Sequence, residues 1–158
     1  MNPASTIGKL ARRDVLGLDI ATRCGYYSLH SSGAWDFHAN KSRQTYLTFY
    51  RTLKEYIQVH GIRKLVVEDL NVNNHFSDLR KLAQLHGIML LVSEELALLP
   101  VEYVNVSTLK RWATGNGRAD KSEMIAACVN NYRFYPKTSD EADAFLLFHF
   151  YCRKWRIP

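Results

Sequence analysis

Two short apolar runs, each ending on an acid, constrain this chain more than any other feature. Residues 15–20 (VLGLDI) and 65–67 (LVV, running into Glu68-Asp69) are too short for helices and too continuously apolar for surface strands. Such runs read as strands buried on both faces, and a sheet covered on both faces needs helices on each side. The chain supplies them. Tyr46, Leu47, Phe49, Tyr50, Leu53 and Ile57 recur at helical spacing over residues 45–60, with Gly61 as a stop. A longer helical pattern over residues 78–98 ends before Pro100. Shorter helices are expected over residues 107–113 and 120–132, and a last one from about 140. Asp120 with Glu123, and Thr138 with Glu141, have capping-box spacing. Residues 25–30, a Ser31-Ser32-Gly33 turn and residues 34–38 read as a hairpin, and residues 101–106 as a fifth strand. The order β-β-β-α-β-α-β-α-α implies an α/β fold with a mixed sheet, its first and fourth strands parallel neighbours.

With 158 residues, the chain is long enough for one domain with a real core and too short for two of ordinary size. Residues 1–13 read as a basic arm and 14–158 as the domain. The formal charge of +6 favours an anionic partner such as nucleic acid. Cys24, Cys128 and Cys152 lack metal-type spacing and are odd in number, which suits reduced thiols in the cytoplasm. No apolar run reaches the length of a membrane span, and the first residues lack the apolar stretch of a secretory signal.

Four acids stand out by position. Asp19 and Glu68 close the first and fourth strands, and sites in open α/β sheets form outside the carboxyl ends of strands. Asp140 and Asp143 are three apart at the start of a helix, so they share one face. Asp69 competes with Glu68, since adjacent strand residues point to opposite faces. Each acid taken alone is as readily a solvated loop residue or a helix-dipole partner. Together they are costly. Two carboxylates about 4 Å apart repel by roughly 4 kcal/mol at an effective dielectric near 20, and a hard divalent cation removes that cost. An all-carboxylate set without His or Cys points to Mg²⁺ or Mn²⁺ rather than zinc. Two such ions can activate a water and stabilise the leaving oxygen of a phosphodiester.

Residues 15–29, 64–69, 113–124 (ATGNGRADKSEM) and 139–151 (SDEADAFLLFHFY) resemble, in order, the segments of RuvC-type Holliday junction resolvases of the RNase H-like superfamily. The resemblance implies a five-stranded mixed sheet flanked by helices. It places the family's metal-binding acids at Asp19, Glu68, Asp140 and Asp143, its catalytic-site lysine at Lys121, and another basic position at Lys110. It implies a homodimer with one site per subunit, in which each subunit nicks one of two like-polarity strands at a four-way DNA junction. The helix from Asp78 resembles the element that pairs across that dimer. Where some members carry a base-prying aromatic after the strand-end Glu, this chain has Asn71, and its nearest aromatic is Phe76. The shorter length would suit a bacteriophage or mobile-element version.

Further DNA contacts are expected from the basic groups. Asn116 and Arg118 lie in a Gly-rich loop opening a helix, where backbone N–H groups can hold a phosphate. Lys121, at the same opening, can stabilise charge developing on the scissile phosphate. Arg80-Lys81 and Lys110-Arg111 are basic pairs, and such pairs are also ordinary solvated faces. The expected activity is Mg²⁺-dependent junction cleavage with two ions per site. The alternatives are a broader RNase H-like nuclease on branched or single-stranded nucleic acid, and a branched-DNA-binding module without turnover.

Overall fold

The computed structural model describes residues 10–37, 44–71, 73 and 75–158. Five strands, β1 (Val15–Asp19), β2 (Arg23–Tyr27), β3 (Ser32–Asp36), β4 (Lys64–Glu68) and β5 (Glu102–Val104), form one mixed sheet in the order β3-β2-β1-β4-β5. β1 pairs antiparallel with β2 and parallel with β4, as the chain order requires. Leu18 lies opposite Val67, so Asp19 and Glu68 leave the sheet side by side at its carboxyl edge. Among the described residues five α-helices cover the sheet: α1 (Thr45–His60), α2 (Phe76–Glu95), α3 (Val106–Thr114), α4 (Lys121–Tyr132) and α5 (Ser139–Lys154).

Strand alternation sorts the side chains into two cores. Leu16, Leu18, Leu65 and Val67 pack with Phe49, Leu53 and Ile57 of α1 and with Leu85, Met89 and Val92 of α2. Val15, Val66 and Val104 face the other way, against α5 and the α3–α4 pair. Asp19 and Glu68 fall on this second face by the same period of two. That parity resolves the choice between Glu68 and Asp69. Asp69 is exposed, its N–H donating to the Val104 carbonyl and its Oδ1 accepting from the Leu70 N–H.

Two glycines bring α5 onto the sheet. A Cβ at Gly17 would overlap the Ala144 carbonyl, and one at Gly25 would overlap the Asp140 carbonyl. With hydrogen in place of a side chain, the helix backbone rests directly on β1 and β2. This close approach sets the height of the α5 N-terminus, and therefore of Asp140 and Asp143, over the strand-end acids. Asp120 and Glu123 form the expected capping box at α4. At α5 the Thr138 side chain accepts from the Glu141 N–H, but Glu141 accepts from the Lys137 N–H instead of closing the box.

The hairpin differs from its expected register. β2 starts two residues earlier, at Arg23, and the turn lies at residues 28–31 rather than 31–33. Ser28 explains the shift: its N–H donates to the Ser31 carbonyl, and its Oγ accepts from the His30 N–H and bonds the Tyr56 hydroxyl. Ser32 and Gly33 are strand residues paired with Tyr27 and Tyr26. α2 begins at Phe76, two residues before the expected start, and ends at Glu95. Of the expected third strand, His38 lies outside the described residues, as do residues 1–9 of the basic arm. Leu10 is buried in the α5-side core, and the Arg12 N–H and Nε donate to carbonyls of Pro158 and Ile157.

Candidate active site

The carboxylates of Asp19, Glu68 and Asp143 converge, with one oxygen from each lying within 4.8 Å of the others. The first two arrive from neighbouring parallel strands and the third from the helix seated on the two glycines. Asp140 sits one turn earlier on α5, lines the same cleft as Asp19 and Glu68, and lies 3.7 Å from Arg23 Nε. The cleft, about 300 Å³, is bounded on its other side by Asp69, Leu70, Asn71, Leu82, His86 and Val106.

Crowding has the expected electrostatic result. Burial, then the neighbouring Glu68, Asp143 and Asp140 carboxylates, hold the Asp19 carboxyl well above its usual range, with Lys121 opposing. Burial and Asp143 push Glu68 up to about 7, and burial and Asp140 push Asp143 up to about 6. Lys110 acts against both of these shifts, and Lys121 against that of Asp143. A protein that gathers three acids at this cost has a site short of positive charge. Its donors are all oxygen, which fits a hard divalent cation and not zinc. Asp19, Glu68 and Asp143 are placed to hold such an ion, and Asp140 lines the same cleft outside that group.

The two lysines come from different elements. Lys121 is the first residue of α4, and the Asp120 cap that starts the helix fixes its position. Lys110 lies on α3, whose N-terminus is capped by the Asn105 side chain, accepting from the Ser107 and Thr108 N–H groups. A second cleft, about 520 Å³, adjoins the first through Asp69, Leu70, Asn71 and Val106. It is further lined by Asn73, Asn105, Ser107, Lys110, Gly117 and Arg118. Asn116 shapes this loop: its Oδ1 accepts from the Arg118 N–H, and its own N–H donates to Thr114 Oγ1.

The remaining expected contact residues do not themselves line the clefts. Phe76 and Arg80 form a pair one turn apart at the start of α2, with the Arg80 guanidinium 4.7 Å from the Phe76 ring centroid. Phe76 is 72% exposed, so it is a surface residue and not part of the core. Lys81 is exposed beside it, and the Arg111 guanidinium lies against Gly117. Two residues at the site were not anticipated. Arg23 could have been found from parity, since it shares a face with Gly25 and Asp19. His86, 5% exposed with an Nδ1 that has no partner among the described residues, carries no such sequence signal.

Comparison with known proteins agrees with this arrangement. No curated protein matches the chain at a significant level. The same fold occurs in Thermus thermophilus RuvC, with 17% identity, a TM-score of 0.67, and coverage of 90% of this chain and 96% of that one. The structure of T. thermophilus RuvC in complex with Holliday junction substrate matches at 18% identity and a TM-score of 0.69, covering 89% and 94%. The yeast mitochondrial Holliday junction resolvase Ydc2 matches at 9% identity and 0.64, covering 95% and 82%. A family model described as crossover junction endodeoxyribonuclease RuvC matches residues 15–148, nearly the whole described fold. The chain belongs to the RuvC family of crossover junction endodeoxyribonucleases.

Proposed function

We propose that this chain resolves four-way DNA junctions by metal-dependent phosphodiester hydrolysis, with its catalytic centre at Asp19, Glu68, Asp140 and Asp143. The observation that carries this reading is the convergence of three of these carboxylates within 4.8 Å at the carboxyl edge of a RuvC-family sheet. Magnesium, with manganese as a substitute and two ions per site, would there supply water activation and stabilisation of the leaving oxygen. Lys121, whose charge acts on Asp19 and Asp143, stabilises negative charge developing on the scissile phosphate. Lys110 and Arg118 hold flanking phosphates along the second cleft, aided by Asn71 and the loop that Asn116 shapes. Arg80, Lys81 and Arg111 add phosphate contacts outside it. Exposed Phe76, backed by Arg80, is the aromatic available to stack on opened bases.

On this reading the chain is a homodimer of one nuclease domain, which takes in the buried Leu10 and the Arg12 contacts as well as residues 14–158. Leu90 of α2 and Tyr103 of β5, each 40% exposed, line one groove, an apolar surface suited to a second copy. The cysteines are free and buried, which fits the cytoplasm, and among the described residues no helix is long and apolar enough to cross a membrane. The test is an end-labelled synthetic junction incubated with protein and Mg²⁺ or Mn²⁺, beside duplex, flap and RNA–DNA hybrid. Symmetric paired nicks on the junction, lost in Asp19→Asn while binding persists, are expected. A fully active Asp19→Asn variant overturns the assignment, and equal cleavage of all four substrates overturns the junction preference.

A further inference from the structure

β2 opens with Arg23, which shares a sheet face with Gly25 and Asp19 because alternate strand residues point the same way. Its Nε lies 3.7 Å from Asp140 Oδ2. Gly25, two residues on, has the Asp140 carbonyl directly over it, so strand and helix hold the two charged side chains in register. Asp36 stands across from Arg23 on β3. Asp140 is also the acid that stays outside the tight group of Asp19, Glu68 and Asp143. It lines the same cleft as Asp19 and Glu68. The arrangement therefore has three carboxylates together and a fourth paired with a guanidinium at their edge.

We propose that Arg23 is a positioning residue that keeps Asp140 apart from the other three carboxylates in the free protein and passes to a DNA phosphate when substrate binds, freeing Asp140 to complete the set. The inference rests on the metal-centre reading above. A phosphate is the natural competitor for the guanidinium, since arginine takes phosphate in the same forked geometry as carboxylate. The Arg23 side chain is 53% exposed and that of Asp140 28%, so the contact is a weak latch that substrate can open. Exposed pairs of this kind change an equilibrium by at most about fivefold.

Two measurements on the intact protein test this. The first is Mn²⁺ titration without DNA, followed by electron paramagnetic resonance of the free ion. Arg23→Gln should tighten the weaker class of Mn²⁺ sites about two- to fivefold, and Arg23→Lys should restore wild-type behaviour. Unchanged or weaker binding in Arg23→Gln overturns the latch. The second is junction binding against salt concentration in EDTA, where Arg23→Gln should lower the slope by about one. An unchanged slope overturns the transfer to phosphate. A wild-type protein that binds no Mn²⁺, or an Asp19→Asn variant that binds as much as wild type, overturns the metal centre itself and this inference with it.

Discussion

Replacing Asp143 by Asn should stabilise the ion-free protein while abolishing cleavage. The Asp143 carboxyl is pushed up to about 6 from an ordinary value of 3.8. At about 1.4 kcal/mol per factor of ten in acidity, ionising it costs the folded protein about 3 kcal/mol. The geometry gives a similar figure: unit charges at the 4.8 Å limit of the cluster repel by about 3 kcal/mol at an effective dielectric near 20. Asn keeps the shape and removes the charge, so a gain of about 2–3 kcal/mol is expected at pH 8, or about 5–10 °C in Tm for a chain of this size. The sign follows from the direction of the shift. A carboxyl whose folded pKa is raised costs nothing below its unfolded value and its full amount above its folded value. Thermal unfolding in EDTA should therefore show the gain in full at pH 8 and roughly halved at pH 5. With saturating Mg²⁺ the order should reverse, because wild type alone gains the full binding stabilisation. An Asn variant less stable than wild type at pH 8 in EDTA refutes the reasoning.

Three further outcomes are expected. Gly25→Ala puts a methyl group into the Asp140 carbonyl and should cost about 1–3 kcal/mol or more by urea denaturation; unchanged stability contradicts the close seating of α5. Glu68 at about 7 and Asp143 at about 6 must lose protons to take a cation, so the Mg²⁺ concentration for half-maximal nicking should fall as pH rises from 5.5 to 8; a flat dependence contradicts the clustering. Phe76→Ala removes a stacking group worth about 1–3 kcal/mol per base. It should reduce the fluorescence rise of 2-aminopurine placed near the crossover, and an unaltered rise assigns base opening elsewhere.

Much of the fold was legible because burial leaves a period in the sequence. The apolar runs ending at Asp19 and Glu68, the helical stripe from Tyr46 to Ile57 and the order of elements fix a mixed sheet with two parallel neighbours at its centre. Local side-chain chemistry was harder to read. Ser31-Ser32-Gly33 has turn composition, but Ser28 makes the hydrogen bonds that set the turn three residues earlier. At the site, strand ends and helix starts marked all four acids, while the long-range contacts that assemble them were invisible. Gly25 looks like any strand glycine until Asp140 is seen to lie on it. The pairing of Arg23 with Asp140 joins residues 117 positions apart and is a consequence of that seating.

The most direct measurement is anomalous diffraction from crystals of the intact protein soaked in Mn²⁺. A manganese peak enclosed by the carboxylates of Asp19, Glu68 and Asp143, and absent from Asp19→Asn crystals, is the predicted result. Full Mn²⁺ occupancy elsewhere on the protein, with none between these three side chains, contradicts the account.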